Sequence, residues 1–288
     1  MESIILGCGQ VGRQLCAQLS NTNNDFYCVV KTQSSIDWLK SLNYQAIAFD
    51  LDTKQDLPAN IRLAGNDIYY FVPPSSSDLT DHRIDYFLSL CKTKLPRRIV
   101  YISTSGVYGD CGGEWVNENY PVSPTTDRAK RRAYAEQSLI NFCLESGCEY
   151  NILRVGGIYG PERLPIERLK SITVICPEEA PFSNRIHVSD LAAVCLAAMQ
   201  SEIHGEIFNV ADGHPTSMTD YFYQLADMAN IPRPPCVPLA LAGEKLSPGM
   251  LSFIKESRRL SIEKMNSLLN VTLNFPSLQA GLKDCFKS

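Results

Sequence analysis

The sequence lacks long hydrophobic runs and has no marked excess of charge of either sign. Its longest apolar runs, such as 3–6 and 191–199, are far shorter than the roughly 20 residues that span a bilayer. Lysine and arginine number 27 and aspartate and glutamate 31, giving a formal net charge of -4 without the basic excess that attracts nucleic acid or anionic membranes. We therefore expect no nucleic-acid or membrane partner, and any anionic ligand must be small and bound locally.

Metal-ligand patterns are also missing. The eleven cysteines contain no CxxC pair and form no cluster with the four histidines along the sequence. Several stand among apolar residues, where a thiol packs as a small hydrophobic group: Cys16, Cys28, Cys143 and Cys195. We therefore expect no metal site and a reducing, cytoplasmic location. Strand-like residues begin at Ser3, which leaves no room for a signal peptide and favours the same location.

The sequence does contain a regular alternation of strand and helix patterns. With 288 residues, 44% of them hydrophobic, the chain can form one large or two modest cores. Strand patterns occupy 3–6, 26–30, 46–49, 67–72, 98–103, 149–154 and 207–210. Helical patterns occupy 11–19, 34–42, 78–92, 128–145 and 189–199. This alternation predicts an α/β fold, a Rossmann-type doubly wound parallel sheet.

The regular pattern ends near Gly213, where prolines become frequent. They stand at positions 215, 232, 234, 235, 238 and 248 and punctuate short helices. We predict a sheet domain formed by residues 1–155 and 185–212. Residues 156–184 and 213–288 are predicted to form a small C-terminal substrate lobe, with 156–184 as the connecting loop.

A glycine motif follows the first strand directly. Residues 7–12 read GCGQVG and open a helix, which is the GxGxxG pattern in its strand–turn–helix context. Its glycines permit a tight turn, close approach to a pyrophosphate and close helix packing, and the helix N-terminus offers free N–H groups to the anion. The motif predicts dinucleotide binding, with an ordinary strand-to-helix turn as the alternative. The contacting residues would be Gly7, Gly9, Gln10, Val11 and Gly12.

The end of the second strand indicates which dinucleotide is bound. An acidic residue there grips the ribose of NAD, whereas a basic residue accommodates the 2′-phosphate of NADP. No acid follows this strand, and Lys31 with Thr32 could hold a phosphate. We therefore expect NADP, with NAD as the alternative. A second interpretation makes Lys31 a solvated lysine at the end of a strand.

Five later phrases occur in a characteristic order. They are YISTSGVYGD at 101–110, ENYPVSP at 118–124, LRVGGIYGP at 153–161, RIHVSDLA at 185–192 and GEIFNVADG at 205–213. A basic phrase at 256–261, ESRRLS, follows them. With the glycine motif, these phrases resemble the extended short-chain dehydrogenase/reductase superfamily, specifically the NAD-dependent epimerase/dehydratase family. The resemblance covers about three quarters of the chain.

The resemblance implies roles for particular residues. Asp50 and Leu51 match the position that contacts adenine. The segment along the nicotinamide ribose is matched by Phe71, Val72 and Pro73. Thr104 matches the catalytic Ser/Thr, whose hydroxyl would hold a substrate carbonyl or alcohol against the nicotinamide. The alternative for Thr104 is a threonine that closes a buried strand.

The sequence departs from the family at the catalytic dyad. Redox members carry Tyr-x-x-x-Lys in the following helix, but Arg128 and Arg132 stand at those positions when counted back from Glu136. Arginine stays protonated and cannot exchange a proton as tyrosine does beside lysine. The candidate substitutes are Tyr108 and Tyr134, each with an alternative role as a half-buried aromatic.

Arg128 and Arg132 are expected to face the nicotinamide pocket. One helical turn places their guanidinium groups on one face, where they would repel one another unless an anionic ligand lies between them or carboxylates such as Glu136 pair with them. They could bind a substrate carboxylate or phosphate, or the cofactor pyrophosphate. Lys130 and Arg131 are interpreted as a solvated basic face.

Two functions remain open from the sequence. The first is an atypical NAD(P)-binding epimerase/dehydratase-like oxidoreductase that acts on a small, polar and anionic metabolite. The second is a non-catalytic NAD(P)-binding protein that acts as a redox sensor or scaffold. Loss of the dyad favours the second function, whereas retention of the Thr104 phrase and of a full C-terminal lobe favours the first. The sequence also leaves a homodimer open.

Overall fold

The computed structural model describes residues 2–22, 24–76 and 78–287; positions 1, 23, 77 and 288, which fall in the predicted domain ranges, lie outside them. The described chain contains a seven-stranded parallel sheet. Its strands are β1 (Ser3–Leu6), β2 (Phe26–Val30), β3 (Ala46–Ala48), β4 (Asp67–Tyr70), β5 (Arg98–Thr104), β6 (Glu149–Val155) and β7 (Glu206–Val210). They lie in the order β3-β2-β1-β4-β5-β6-β7. The predicted doubly wound α/β fold is confirmed.

The main helices follow the predicted alternation. They are α1 (Gln10–Leu19), α2 (Gln33–Ser41), α3 (His82–Cys91), α4 (Asp127–Ser146), α5 (Val188–Gln200) and α6 (Met218–Met228). Shorter helices span Ile166–Leu169, Ala242–Lys245, Pro248–Ile254, Glu263–Leu269 and Leu278–Cys285, and 3₁₀ turns span Ser105–Tyr108, Pro161–Arg163 and Leu239–Leu241. Within the described part of the chain, no helix has the length and apolar character that crossing a membrane requires.

Helices cover both faces of the sheet. On one face α1 and α5 pack against the strands, with Leu15 and Leu191 in the same buried cluster as Val100. On the other face α3 and α4 contribute Phe87 and Leu139 to a second cluster. Strands that are buried on both faces need apolar residues at successive positions. The strands of the parallel sheet are therefore continuous apolar runs in the sequence rather than alternating apolar and polar residues.

The C-terminal part forms a third buried cluster. Tyr159, Leu225 and Leu282 belong to it. The predicted connecting loop 156–184 is more structured than expected, since Gly157–Tyr159 pairs in parallel with Arg185–His187. Three further short pairs join Trp115–Val116 to Arg259–Leu260, Val174–Ile175 to Cys236–Val237, and Phe182–Ser183 to Thr216–Ser217. Met265 and Leu269 belong to the buried cluster that also contains Leu191 of α5.

Candidate functional site

The glycine motif forms the turn between β1 and α1. Gly7 has a φ of +82°, and a Cβ there would lie 2.9 Å from the amide nitrogen of Val72 and 3.0 Å from the carbonyl carbon of Phe71. Only glycine fits this left-handed position against the segment that follows β4. The turn therefore brings the predicted pyrophosphate residues and the predicted ribose segment into direct contact.

The rest of the motif combines close packing with an open face. A Cβ at Gly12 would meet the sulfur of Cys8 at 2.9 Å, whereas nothing lies within 4 Å of the Cβ position of Gly9, the N-cap of α1. Gln10 begins α1, and its buried Oε1 has no hydrogen-bond partner. Val11 packs against the core. The open N-terminus of α1 suits a phosphate-bearing ligand, because the first N–H groups of a helix have no partner within it.

Charged residues meet where β2 and β3 end. The ammonium group of Lys31 lies 3.0 Å from a carboxylate oxygen of Asp50 and 2.9 Å from one of Asp52. Arg83 donates two hydrogen bonds of 2.7 Å to Asp52. These bonds, those from Arg83 first, hold the pKa of Asp52 well below its usual range. The two positive and two negative groups balance, so Lys31 stands in a locally neutral cluster.

Hydroxyl groups stand beside this cluster. The Thr32 side chain caps α2 by accepting a bond from the amide of Ser35, and its hydroxyl lies 3.1 Å from that of Ser34 and 2.8 Å from that of Ser35. Leu51 is buried and lines a cavity of about 250 Å³ together with Arg83. The predicted adenine position thus lies at a cavity wall.

A larger cavity of about 480 Å³ opens at the carboxyl ends of β4, β5 and β6. Pro73, Thr104 and Val155 mark the three strand ends. In a doubly wound sheet, ligands bind at this edge. The charged residues among the described lining are Arg128, Arg131, Arg132, Arg185, Arg258 and Glu256. Five arginines against one glutamate give the cavity a positive field.

Thr104 is the last residue of β5 and lines the large cavity. Its Oγ1 accepts a hydrogen bond of 3.2 Å from the amide of Gly106 and so caps the 3₁₀ turn that follows. This contact uses the oxygen as an acceptor and leaves the hydroxyl proton to be donated. Thr104 also closes the buried strand β5, so the alternative role of a threonine that ends this strand stays open.

The structure places both candidate substitute tyrosines away from the large cavity. Tyr108 is 1% exposed, and its hydroxyl donates to Asn209 at 2.7 Å while its ring lies beneath the Arg154 guanidinium. Burial raises its pKa to about 12. The Tyr134 hydroxyl donates to Asp85 at 2.9 Å. Neither is among the residues that line the cavity, so the geometry does not favour either tyrosine for proton transfer there.

The α4 arginines lie at the cavity, as the counting back from Glu136 implied. Arg132 donates to the carbonyl oxygen of Ile102 at 2.7 Å and to the hydroxyl of Tyr101 at 3.1 Å, and Arg128 is exposed at the rim. Arg131, interpreted as solvated, also lines the cavity and donates to the carbonyl oxygen of Asp78. The basic stretch of α4 therefore contributes three arginines rather than two.

Glu136 does not pair with these arginines. It is 4% exposed and forms an ion pair of 2.8 Å with Arg154 on β6, and it also accepts a hydrogen bond from Ser103. Of the two alternatives for offsetting the repulsion between Arg128 and Arg132, pairing with Glu136 is therefore not observed, because Glu136 binds Arg154 of the sheet instead.

Arg185 is a site residue that the sequence analysis missed. It is 8% exposed, its Nε has no hydrogen-bond partner, and its Nη2 contacts the Ser183 hydroxyl at 3.5 Å. A Cβ at Gly157 would lie 2.5 Å from its Nη1, so this glycine makes room for the guanidinium. Burial lowers its pKa. The residue opens the phrase 185–192, which the sequence analysis used only to identify the family.

Glu256 and Arg258 were also missed. They form an ion pair of 2.8 Å at the cavity wall, and the Thr125 hydroxyl donates to Glu256 at 2.5 Å. Both residues lie in the late basic phrase 256–261, so the signal was present in the sequence. Among the described lining residues, Glu256 is the only carboxylate.

Sheet order, glycine turn and strand-end cavity together define a doubly wound nucleotide-binding fold. The chain belongs to the NAD dependent epimerase/dehydratase family, whose model matches residues 4–211. A curated relative from Methanocaldococcus jannaschii, provisionally described as a UDP-glucose 4-epimerase, is 26% identical over 138 residues. That match covers 43% of this chain and 45% of the relative, so the chain spans about half the length of that relative.

Solved structures resemble the whole chain. A conserved protein of unknown function from Silicibacter pomeroyi DSS is 26% identical, with a TM-score of 0.86 and coverage of 100% of this chain and 99% of that one. A mutant of UDP-glucuronic acid 4-epimerase from Bacillus cereus, in complex with UDP-4-deoxy-4-fluoro-glucuronic acid and NAD, is 19% identical. Its TM-score is 0.77, and the match covers 100% of this chain and 98% of that one.

Proposed function

We propose that the protein is an NAD(P)-dependent oxidoreductase of the epimerase/dehydratase type that acts on a small anionic metabolite. The observation that carries this proposal is the cavity of about 480 Å³ beside Thr104, in which five arginines face one glutamate. Charge-assisted bonds from guanidinium groups are the usual means of holding carboxylates and phosphates. The Bacillus cereus neighbour, whose complex contains an acidic sugar nucleotide, gives the proposal a precedent in the same fold.

The glycine turn supports a dinucleotide at the edge of this cavity. When bound, the nicotinamide would supply hydride exchange with the substrate. The free N–H groups beyond Gly9, at the N-terminus of α1, would hold the pyrophosphate. We propose NADP as the preferred form, because Lys31 and the three hydroxyls around Thr32 offer donors to a 2′-phosphate.

Substrate positioning is assigned to Thr104 and the arginines, and proton transfer to Glu256. The Thr104 hydroxyl would donate to a substrate oxygen at the end of β5. Arg185, which is buried without a partner at Nε, would bind the anionic group. Glu256 is the only carboxylate among the described lining residues, and the arginines cannot accept a proton. The predicted division of the chain fits this assignment, since Glu256 and Arg258 come from the proposed substrate lobe.

The test compares anionic and neutral metabolites on the NADPH-saturated protein. The temperature of thermal unfolding should rise when carboxylates or phosphates are added but not when their neutral esters or amides are added, because a ligand that binds only the folded state stabilises it. Arg185→Ala and Arg132→Ala should each abolish most of this shift. Arg233→Ala is the matched control, since Arg233 is exposed and pairs with Asp227 away from the cavity. Equal stabilisation by neutral compounds would contradict the proposal.

The second candidate is a non-catalytic NAD(P)-binding protein. Its support is the absence of tyrosine and lysine from the described lining of the cavity. The two functions differ in turnover of the compounds that stabilise the protein. An oxidoreductase of this type converts the compounds, which is followed by chromatography of substrate and product together with the absorbance of the reduced nicotinamide. Glu256→Gln lowers the rate of conversion, whereas a sensor binds the same compounds without converting them. For either function we expect no ordinary epimerase turnover of common sugar nucleotides.

A further inference from the structure

Three buried thiols meet beneath the glycine turn. Cys8 lies in the turn, Cys16 on α1 and Cys28 on β2, and all are buried. The sulfur of Cys16 lies 3.8 Å from that of Cys8 and 3.4 Å from that of Cys28, and all three sulfurs lie within 4.8 Å of one another. The β1–α1–β2 crossover thus joins thiols that are far apart in sequence, so the spacing of the cysteines along the chain does not show this group.

The arrangement matches the coordination of a soft cation. Three thiolates at about 2.3 Å from one ion place their sulfurs about 3.8–4.0 Å apart, so small side-chain movements would complete the site. The group is all sulfur, with no histidine or carboxylate among its described members. Zinc sites in proteins usually take a fourth ligand, whereas soft thiolate sets also select Cu(I). The cluster therefore suits Cu(I) better than Zn²⁺.

We propose that Cys8, Cys16 and Cys28 bind one soft monovalent cation of the Cu(I) class, and that the bound ion opposes dinucleotide binding at residues 7–12. Binding is ligand exchange: three metal–sulfur bonds replace the bonds from the ion to its previous ligands, which leave with solvent or chelator, the three S–H protons pass to water, and no electron is transferred. To reach the three sulfurs, the ion must pass the turn, where Cys8 is 8% exposed.

The opposition to the dinucleotide follows from charge and position. Three thiolates and one monovalent cation leave a net negative charge directly under the turn that would receive a pyrophosphate. The Cys8 sulfur also packs against Gly12, since a Cβ there would lie only 2.9 Å away, so movement of this sulfur displaces the turn. The coupling between two binding sites is reciprocal, so the bound dinucleotide must weaken binding of the ion by the same factor. This coupling rests on the proposed function, whereas the metal site itself does not.

The site is tested with the full chain, reduced and free of oxygen, in a Cys236→Ser background that removes an exposed thiol. Cu(I) is titrated against a coloured chelator. We expect one ion per chain to be withheld, and Cys16→Ala to weaken binding by about tenfold or more. Cys195→Ala is the matched control, since Cys195 is equally buried on α5 but outside the cluster. Loss of all copper to the chelator, or unchanged retention by Cys16→Ala, overturns the site.

A second variant and a second measurement keep the inference testable if Cys16→Ala does not fold. Cys8→Ala changes the turn rather than the centre of the core and should also lose the ion. The coupling is measured by titrating NADPH and following its fluorescence. We expect Cu(I) to weaken NADPH binding by about tenfold, within the usual range of coupling between sites. Unchanged NADPH affinity on the copper-loaded chain overturns the coupling. Failure of the metal-free chain to bind any dinucleotide contradicts the proposed function and leaves the copper stoichiometry as evidence for the site.

Discussion

Two glycines of the turn are predicted to have different roles, Gly7 in folding and Gly9 in ligand binding. Gly7→Ala places a Cβ against the backbone after β4 at a φ of +82°, and we expect it to reduce the free energy of unfolding by about 2 kcal/mol or more. Gly9→Ala meets nothing within 4 Å, so the variant should unfold like the parent but bind NADPH more weakly, because its methyl group occupies the open face. Urea unfolding and NADPH fluorescence measure the two effects. Parent-like NADPH binding by Gly9→Ala would show that the ligand does not approach there.

The buried ion pair of Glu136 and Arg154 joins α4 to β6. Both side chains are about 5% exposed, and Glu136 also accepts the Ser103 hydroxyl. Removing one member leaves an uncompensated buried charge, so Glu136→Ala should cost about 3–5 kcal/mol of unfolding free energy. Glu145→Ala, at an exposed position of the same helix, is the control and should change little. Similar urea midpoints for the two variants would contradict this assignment.

The glycine turn could be predicted from sequence because a local backbone conformation dictates it. The partner of Glu136 could not, since it lies 18 residues away and is chosen by how α4 rotates against β6. The partner of the Tyr108 hydroxyl could not be predicted for the same reason, because Asn209 is 101 residues distant in sequence. Side-chain direction at such positions is set by long-range packing rather than by local spacing.

Helices and strands were predicted well wherever their apolar residues recur with one period along the sequence. The prediction of a helix from 78 extended too far, because the Asp81 carboxylate accepts hydrogen bonds from the amides of Arg83 and Ile84 and so starts α3 at His82. The segment 156–184 was predicted as a loop, since strands of two or three residues carry too few positions to show alternation. Arg185 lies just after this segment, where the strand pairing with Gly157 buries it.

The junction of β2 and α2 should decide between NADP and NAD. Lys31→Ala removes a donor beside the Thr32 hydroxyl but also frees Asp50 and Asp52, which then repel a 2′-phosphate. We expect NADPH to bind roughly twofold to fivefold more weakly, as suits an exposed ion pair, with NADH unchanged. Lys40→Ala, an exposed lysine in the last turn of α2, is the control. An unaltered ratio of the two affinities would show that Lys31 does not select the cofactor.

For the whole molecule, Asp212 makes global stability depend on pH. Its carboxyl group is 3% exposed, one oxygen accepts the His214 amide, and the other has no hydrogen-bond partner. Burial raises its pKa from 3.8 to about 6, although His214 and Arg185 act in the opposite direction. Because the folded state holds the proton more tightly than the unfolded state, this group stabilises the fold below pH 3.8 and loses that contribution as the pH rises to about 6.

The size of this effect follows from the shift, since each pKa unit corresponds to about 1.4 kcal/mol, and two units give about 3 kcal/mol. Other carboxylates act oppositely, because the bonds from Arg83 and Arg233 lower the pKa of Asp52 and Asp227. The difference between parent and Asp212→Asn isolates the contribution of one group. Urea unfolding between pH 4 and 7 should show the variant gaining about 3 kcal/mol over the parent as the pH rises through this window, with a constant difference above it. Parallel pH profiles for the two proteins would mean that the Asp212 carboxylate is solvated or paired with Arg185 in the folded state.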